Sequence, residues 1–539
     1  MATLVILQLT LAGVSASRGS DDGTTFAEAR HNGSLSAEAY RRCVRYVDAW
    51  LAHADPATGL IPRNLRDGRD FWNGRDAGAD NYAFMVLTAA LTDRERLMPR
   101  MLEMLRTERR ITARHGHLCD DYLFSRRTWR RETFDLDATL FDSAEYVKDG
   151  LLPITEWLGT SPWSDRAREI IDDIWKNARI ATPAGPIATL NFEVNGDLLQ
   201  ACSRLHWLTG KRRYLDWAER LGDFYLLSTN HPTRHLERLR LRDHGGEVVN
   251  GLTELYVILR HQGLPKADQY RGPLTEILDR ILRDGCNPDG LLYDWFEPGT
   301  GRHAASLADT WGYVMNGHYT VHLLDGAPAY QDAVVRALNA LESGYTQYRW
   351  EGDSADGYAD AIESALNLLN REPIDSAMRW VDTEIHSMWA KQQPDGIIEG
   401  WHGDGNFART SLLYALWKTQ GLTLEPWRED VRLGAVRSGN QVLISVLAEH
   451  PWSGHLVADR PRHRENLRLP LDYPRINQFP EWFTVEPSGS WILEGLPETA
   501  SHIMDGRRLR RGIPLVLQPG RELRLILRPA SSPAAPRRD

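Results

Sequence analysis

Cysteine is scarce in this 539-residue chain, where Cys43, Cys119, Cys202 and Cys286 stand far apart and form no CxxC pair. That spacing argues against a dense disulfide scaffold or a thiolate zinc site and fits buried free thiols. Long apolar runs are missing after the N-terminus, and nothing there approaches the roughly 20 apolar residues of a membrane-spanning helix. Residues 1–16 do hold an apolar stretch ending in Val14-Ser15-Ala16, a form that signal peptidases cut, although the usual preceding basic residues are lacking. A secreted or periplasmic location is expected from it, with the cytoplasm as the alternative. Also absent are a GxSxG elbow, a GxxxxGK(S/T) phosphate loop and an HExxH helix. The run His115-Gly-His117-Leu-Cys119-Asp120-Asp121 lacks a second ligand cluster, and a calcium-loop match over Asp353–Glu363 fails because Gly352 and Ser354 fill the first ligand places. No metal and no cofactor is expected. A formal charge of -9 argues against a general nucleic-acid binder; neither nucleic acid nor membrane is an expected partner, and the oligomeric state is open.

What the chain has instead is an alternation of helices. Short turns fall at Leu91-Thr92-Asp93, Leu158-Gly159-Thr160, Leu208-Thr209-Gly210, Gly263-Leu264-Pro265, Leu324-Asp325-Gly326, Asn370-Arg371-Glu372 and Thr419-Gln420-Gly421, at the period of helical-pair repeats. The segment before each turn is apolar on nearly every face; the one after it carries charge on one side. A helix apolar all round must be covered all round, whereas one with a polar face meets water. Inner helices are therefore expected near 78–91, 142–158, 192–208, 246–262, 308–324, 354–370 and 405–420, and outer ones near 94–108, 163–179, 211–228, 266–284, 327–343 and 372–391. A helix at 36–53 is placed to cover the last inner one and close a ring. After Pro426 the pattern changes to short branched-apolar segments at 431–436, 441–446, 490–493, 513–517 and 522–527, which read as an antiparallel β-sandwich. The expected division is an α toroid over 34–421, a β-sandwich over 427–529 and a disordered tail over 530–539.

Connections from each outer helix to the next inner one are long, and long ordered loops in compact domains are usually functional. They carry a recurring turn with an apolar pair, as in Pro288-Asp-Gly-Leu-Leu-Tyr-Asp294 and Pro394-Asp-Gly-Ile-Ile-Glu399. Together with turns such as Leu208-Thr-Gly-Lys-Arg-Arg-Tyr-Leu-Asp-Trp-Ala218, these loops resemble the (α/α)6-type toroids of carbohydrate-active enzymes, a group that includes unsaturated glucuronyl hydrolases, β-L-arabinofuranosidases and heparinase-like polysaccharide lyases. The resemblance implies a mainly α fold, an (α/α)6-7 toroid, with a carbohydrate-binding cleft at its mouth. It supplies no catalytic residue.

Those residues have to come from the chain itself. Glycosidases need an acid and a base flanking one cleft, and Glu193, Glu247, Asp309, Asp360 and Asp404 each stand near the start of a different inner helix. Glu247 is the first choice for one role, because Gly245-Gly246 before it would leave room for a ligand; Asp309 or Asp360 is the choice for the other. An eliminating enzyme would instead use His318 or Tyr319 as base and Asn316 to neutralise a uronate. Asn-Gly pairs at Asn195, Asn250 and Asn316 open three inner helices, which suggests close packing with the amides facing the lumen. Trp72, Trp129, Trp295, Trp311, Trp350 and Trp401 offer flat faces for sugar rings, with Arg75, Asp76, Asp80, His244, Asp356, Tyr358 and His402 as further substrate contacts. Two arginine runs, 126–131 and 234–242, lie in mouth-side loops and favour an acidic, uronic-acid-containing substrate. The function expected is a glycoside hydrolase, with a polysaccharide lyase or a non-catalytic glycan-binding protein as alternatives.

Overall fold

The computed structural model describes residues 18–496 and 501–530; the expected leader, and the expected tail beyond residue 530, lie outside them. The helices follow the alternation. In chain order they are α1 (Arg18–Ala52), α2 (Ala83–Leu91), α3 (Arg94–Ile111), α4 (Leu136–Glu145), α5 (Leu152–Leu158), α6 (Pro162–Lys176), α7 (Phe192–Thr209) and α8 (Arg212–Leu226). After a short α9 (Pro232–His235) come α10 (Glu247–His261), α11 (Lys266–Asp284), α12 (Trp311–Asp325), α13 (Pro328–Gly344), α14 (Ala355–Leu369), α15 (Asp375–Trp389) and α16 (Asn406–Lys418). Two π-helical segments complete the inner layer: Gly74–Tyr82 runs into α2, and Tyr146–Leu151 joins α4 to α5.

Among the described residues, α2, the α4–α5 element, α7, α10, α12, α14 and α16 pack each on the next, and α16 returns to α2, so the inner ring is closed with seven members. Outer helices α3, α6, α8, α11, α13 and α15 each cover the inner helix that precedes them, and α1 covers α16 and α2. This is the toroid expected from the pattern, and sidedness is its cause. Every residue of α16 is buried, whereas α8 buries the stripe Tyr214, Leu215, Ala218, Leu221, Gly222 and Tyr225 and leaves Arg212 and Asp216 in water. Gly210 and Gly326 end α7 and α12 in the left-handed region, at φ 69° and 67°, which lets the chain reverse into the outer layer.

The Asn-Gly pairs prove to be packing devices. A Cβ on Gly196 would lie 2.4 Å from the Glu247 Cβ, and one on Gly251 2.4 Å from the Leu199 Cβ, which is how α7 and α10 come so close. The amides of Asn195 and Asn250 are bonded within the protein and do not stand free in the lumen. Asn195 donates to the Thr189 carbonyl and the Tyr225 hydroxyl, and Asn250 to the Gly246 and Tyr313 carbonyls.

At the chain's C-terminal end, two antiparallel sheets share one apolar core. The five-stranded one has the order Ser501–Asp505, Ser490–Glu494, Leu523–Pro529, Gln441–Ala448, Val431–Ser438, and the three-stranded one Ile513–Leu517, Trp452–Val457, Thr423–Glu425. Helix α1 binds the two parts together. Its first half lies on the larger sheet, where Asn32 donates to the Ala435 carbonyl and Ser36 to the Leu433 carbonyl, and its second half lies on α16. The segment between Val457 and Ser490 then crosses the turn-side end of the toroid and closes it. Leu467, Leu469 and Tyr473 pack on Val257 of α10, and Arg475, fully buried, reaches Glu156 of α5 at 3.0 Å. All four cysteines are free thiols, and no helix among the described residues is long and apolar enough to cross a membrane.

Candidate active site

The mouth lies at the N-terminal ends of the inner helices, under the long loops. Phe71–Trp72, Tyr122–Leu123 and Thr128–Trp129 form a small antiparallel sheet there, and Leu239–Arg240 pairs with Trp295–Phe296. Two polar clusters line the ring beneath them.

The first cluster is built on the π segment Gly74–Tyr82, and π turns inside helices are frequent at functional sites. It carries Asp76 and Asp80 on one face. Loop 401–405 is pressed against it, because a Cβ on Gly405 would fall 2.0 Å from the Asp80 carbonyl oxygen and one on Gly403 2.2 Å from the Asn81 side chain. Glycine on both sides of Asp404 is therefore what brings His402 and Asp404 beside Asp80. The His402 ring has Nδ1 3.1 Å from the Gly403 carbonyl and Nε2 3.6 Å from the Asp80 carboxylate. Burial lowers its affinity for a proton, but the carboxylates of Asp80 and Asp76 outweigh that and hold its pKa above the usual value. Asp76 itself is clamped by Arg63 at 2.5 Å and by Asn73.

From the next wall, α14 contributes Asp356, Asp360 and Glu363, and α16 contributes Asn406 and Arg409. Asn406 donates to Asp356 at 2.7 Å, and Arg409 holds Asp360 at 2.6 Å and Glu363 at 3.1 Å. Tyr313 of α12 donates to both of those carboxylates. Burial pushes Asp404 up to about 6; His402 and Arg409 oppose that shift, while Asp360 adds to it. Asp356 rises well above the carboxylate range through burial and the charges of Asp360, Asp404 and Glu351. A carboxylic acid that keeps its proton near neutral pH is what general-acid chemistry requires.

The second cluster centres on Lys148 of the other π segment, with Glu247 at 2.6 Å, Asp149 at 2.7 Å and Asp197 at 3.9 Å. More carboxylates surround that ammonium than it can neutralise. Asp197 and Glu145 are accordingly held well above their usual pKa by burial and mutual repulsion. Asn477, from the segment closing the toroid, connects the clusters: its Oδ1 accepts from Arg409 at 2.8 Å, its Nδ2 donates to Asp149 at 2.5 Å and its backbone N–H to Glu363 at 2.7 Å.

Several other residues expected at the site are held in contacts of their own. Glu247 is bonded to Lys148 and Gln200 and is 1% exposed; the glycines before it admit protein, since a Cβ on Gly245 would strike the Arg240 carbonyl at 2.4 Å. Asp309 is buried, accepts from the Thr310 N–H and lies 3.7 Å from Arg242. His318 points away from the lumen, its ring nitrogens held by the carbonyls of Val314 and of Leu278 on outer helix α11. Tyr319 donates to Glu372 at the turn side, so both side chains are engaged away from the mouth. Replacing His318 by Ala is expected to lower the melting temperature while leaving turnover per folded molecule within about twofold, a split that calorimetry beside a rate assay will read. The Asn316 amide is fully buried.

The aromatic expectations divide in the same way. Trp72, Trp311 and Trp350 are core residues, at most 1% exposed. Trp295 is half-buried under Arg238, and Tyr358 is buried with its hydroxyl on Asp353. Trp129 and Trp401 are the exposed ones, at 39% and 76%, and Arg63 lies 4.9 Å beneath the Trp401 ring, fixing it over the mouth. Trp401→Ala is expected to raise KM about five- to twentyfold with little change in kcat, the loss of one stacking contact of about 1–2 kcal/mol. Glu193 is half-buried beside Glu145 and Asp197. Arg75 lies 3.3 Å from Asp142, and the His244 side chain is outside the described residues. Most of the mouth arginines are ion-paired: Arg130 and Arg131 with Asp120, Asp121 and Asp142, Arg234 with Glu276, Arg238 with Glu297, and Arg242 with Glu351.

Sequence reasoning missed Arg63, Lys148, Tyr313, Glu363, Arg409 and Asn477. Lys148 and Arg409 left a signal, since a lone cation in a helix apolar all round must find a buried partner.

No protein-family model matches the chain, and no curated protein does. Among solved structures it is similar to an inactive variant of an α-1,6-mannanase of Salegentibacter sp. in complex with α-1,6-mannotetrose, at 10% identity and TM-score 0.40 over 70% of this chain and 98% of that one. It is also similar to a family 76 mannosidase of Bacteroides thetaiotaomicron, at 11% identity and TM-score 0.38 over 70% and 98%. A cellobiose 2-epimerase of Bacillus thermoamylovorans gives 11% identity and TM-score 0.37 over 51% and 86%. Likeness this slight assigns neither a family nor a residue's role.

Proposed function

We propose that the protein is a glycoside hydrolase whose reacting sugar enters the mouth between Trp401 and the first carboxylate cluster. The observation that carries the reading is Asp404, a buried acid with its pKa near 6, seated beside the Asp80–His402 pair. Asp404 would protonate the leaving oxygen. Asp80, whose side chain keeps 19% exposure, would activate water or attack the anomeric carbon, with His402 positioning it. Asp360, fixed on Arg409, tunes the Asp404 proton without touching substrate.

The sugar in the lumen is taken to be uncharged. The arginines that spoke for an acidic substrate are largely occupied by carboxylates, and the cluster itself carries more acids than cations, so a uronate there would meet repulsion. Arg126 and Arg127, exposed at the rim, remain able to meet acidic units farther along a chain. A panel of neutral and acidic polysaccharides, assayed both for new reducing ends and for the ultraviolet absorbance of a new C=C bond, tests the reading. Reducing ends without absorbance support it; absorbance identifies a lyase, and silence in both assays leaves a binding protein.

A further inference from the structure

A second cleft, of about 1040 Å³, lies at the opposite end of the toroid from the mouth, between the turn joining α2 to α3 and the C-terminal sheets. The inner helices run from mouth to turn, and fifteen residues such as those of α14 put the two openings roughly 20 Å apart. Its walls carry Arg94 on one side and Arg460, Arg507 and Arg511 on the other, and Trp157 and Trp427 line it between them. The charges there are not balanced. Two other lining arginines are held: Arg462 by Asp459 at 3.1 Å, over the face of Trp157, and Arg510 by Glu465. Lining Asp93 is taken by Arg96. Among the described residues, Arg94, Arg460, Arg507 and Arg511 have no ion-pair partner, against Glu95 and Glu425 on the acidic side.

A chain of net charge -9 that gathers, among the described residues, four guanidinium groups without an ion pair beside the half-buried indole of Trp427, the Trp157 face being taken by Arg462, has a site suited to an elongated anion with an apolar face. Carboxylated and sulfated polysaccharides have that chemistry: arginine forks match both anionic groups, and C–H faces of the sugar rings lie on tryptophan. We propose that this cleft is a non-catalytic binding site for an acidic polysaccharide, retaining the polymer on the face away from the mouth. The proposal is independent of the chemistry at Asp404.

The test is affinity electrophoresis of the full chain through gels containing polygalacturonate (carboxylated) or heparin (sulfated), with dextran as the neutral control and single-stranded DNA as a competing polyanion. Retardation by at least one acidic polysaccharide and not by dextran is expected, weakening from 50 to 300 mM salt. The double variant Arg507→Glu/Arg511→Glu should weaken it at least tenfold, and so should Arg94→Glu from the other wall, each with an unchanged melting temperature, whereas Asp404→Asn should bind as the wild type does. Which polysaccharide is retained identifies the anionic group. Equal retardation by dextran, unchanged retardation in both arginine variants, or tighter binding of DNA than of either glycan would overturn the proposal.

Discussion

Replacing Asp404 by Asn is expected to cut glycoside turnover by two to four orders of magnitude and, at pH 7 and above, to raise thermal stability. The rate loss is the typical worth of a positioned general acid. The stability gain follows from linkage. Asp404 holds its proton to about pH 6 in the folded protein, whereas an unfolded aspartate loses it near 3.9. The folded state therefore binds the extra proton between those values. Its contribution is fully favourable below about pH 4 and is lost as pH rises through 6. At neutral pH the buried carboxylate costs on the order of 2–3 kcal/mol, and an uncharged amide of the same shape relieves that cost. Activity of the native protein should fall above pH 6 for the same reason, as the acid loses its proton. Rate–pH profiles and melting curves of the two proteins at pH 5 and 8 check both halves. Unchanged turnover in Asp404→Asn would remove Asp404 from the chemistry, and a lower melting temperature at pH 8 would contradict the burial argument.

The toroid was legible because period and sidedness are properties of single segments. Phe192–Thr209 and Arg212–Leu226 show their all-apolar and one-sided patterns without any knowledge of their neighbours. The strands Val431–Ser438 and Ile513–Leu517 were legible through branched side chains; Trp452–Val457 and Ser501–Asp505, interrupted by Gly, His or Ser, were not. Asp404 could be placed at the mouth, but its proton affinity comes from burial and the charge of Asp360, against the opposing pull of His402 and Arg409, and the Asp360–Arg409 approach exists only once α14 meets α16. His318 and Glu247 were judged by their position along a helix, whereas the direction they face around it decided their contacts. For His318 that direction is toward α11, and for Glu247 it is toward Lys148.

Least legible was the part played by the segment between Val457 and Ser490, and the second large effect is expected there. Arg475→Ala should destabilise the protein by about 3–5 kcal/mol, enough to make it insoluble or thermolabile. The guanidinium is fully buried and bonded to Glu156, to Asp472 and to the Tyr473 carbonyl. Its removal leaves the Glu156 carboxylate buried at the closed end of the toroid without its cation. Asp472 keeps Arg371, so the loss falls chiefly on Glu156. The further replacement Glu156→Ala should then recover part of it, by at least 1 kcal/mol, whereas Glu156→Ala alone leaves the arginine with Asp472 and the Tyr473 carbonyl and should cost less than Arg475→Ala. Because the same segment carries Asn477 to Arg409 and Asp149, the Arg475 variants should also disturb the wall behind Asp404, lowering turnover of the surviving folded fraction. A chain ended near Pro426 would lose α1's partner sheet as well as this closing segment and should not fold in soluble form. Denaturant melts of the two single variants and the double variant measure the coupling. Additive losses would show that the segment only covers the end of the ring, and a soluble, fully active chain ended at Pro426 would show that the toroid stands without it.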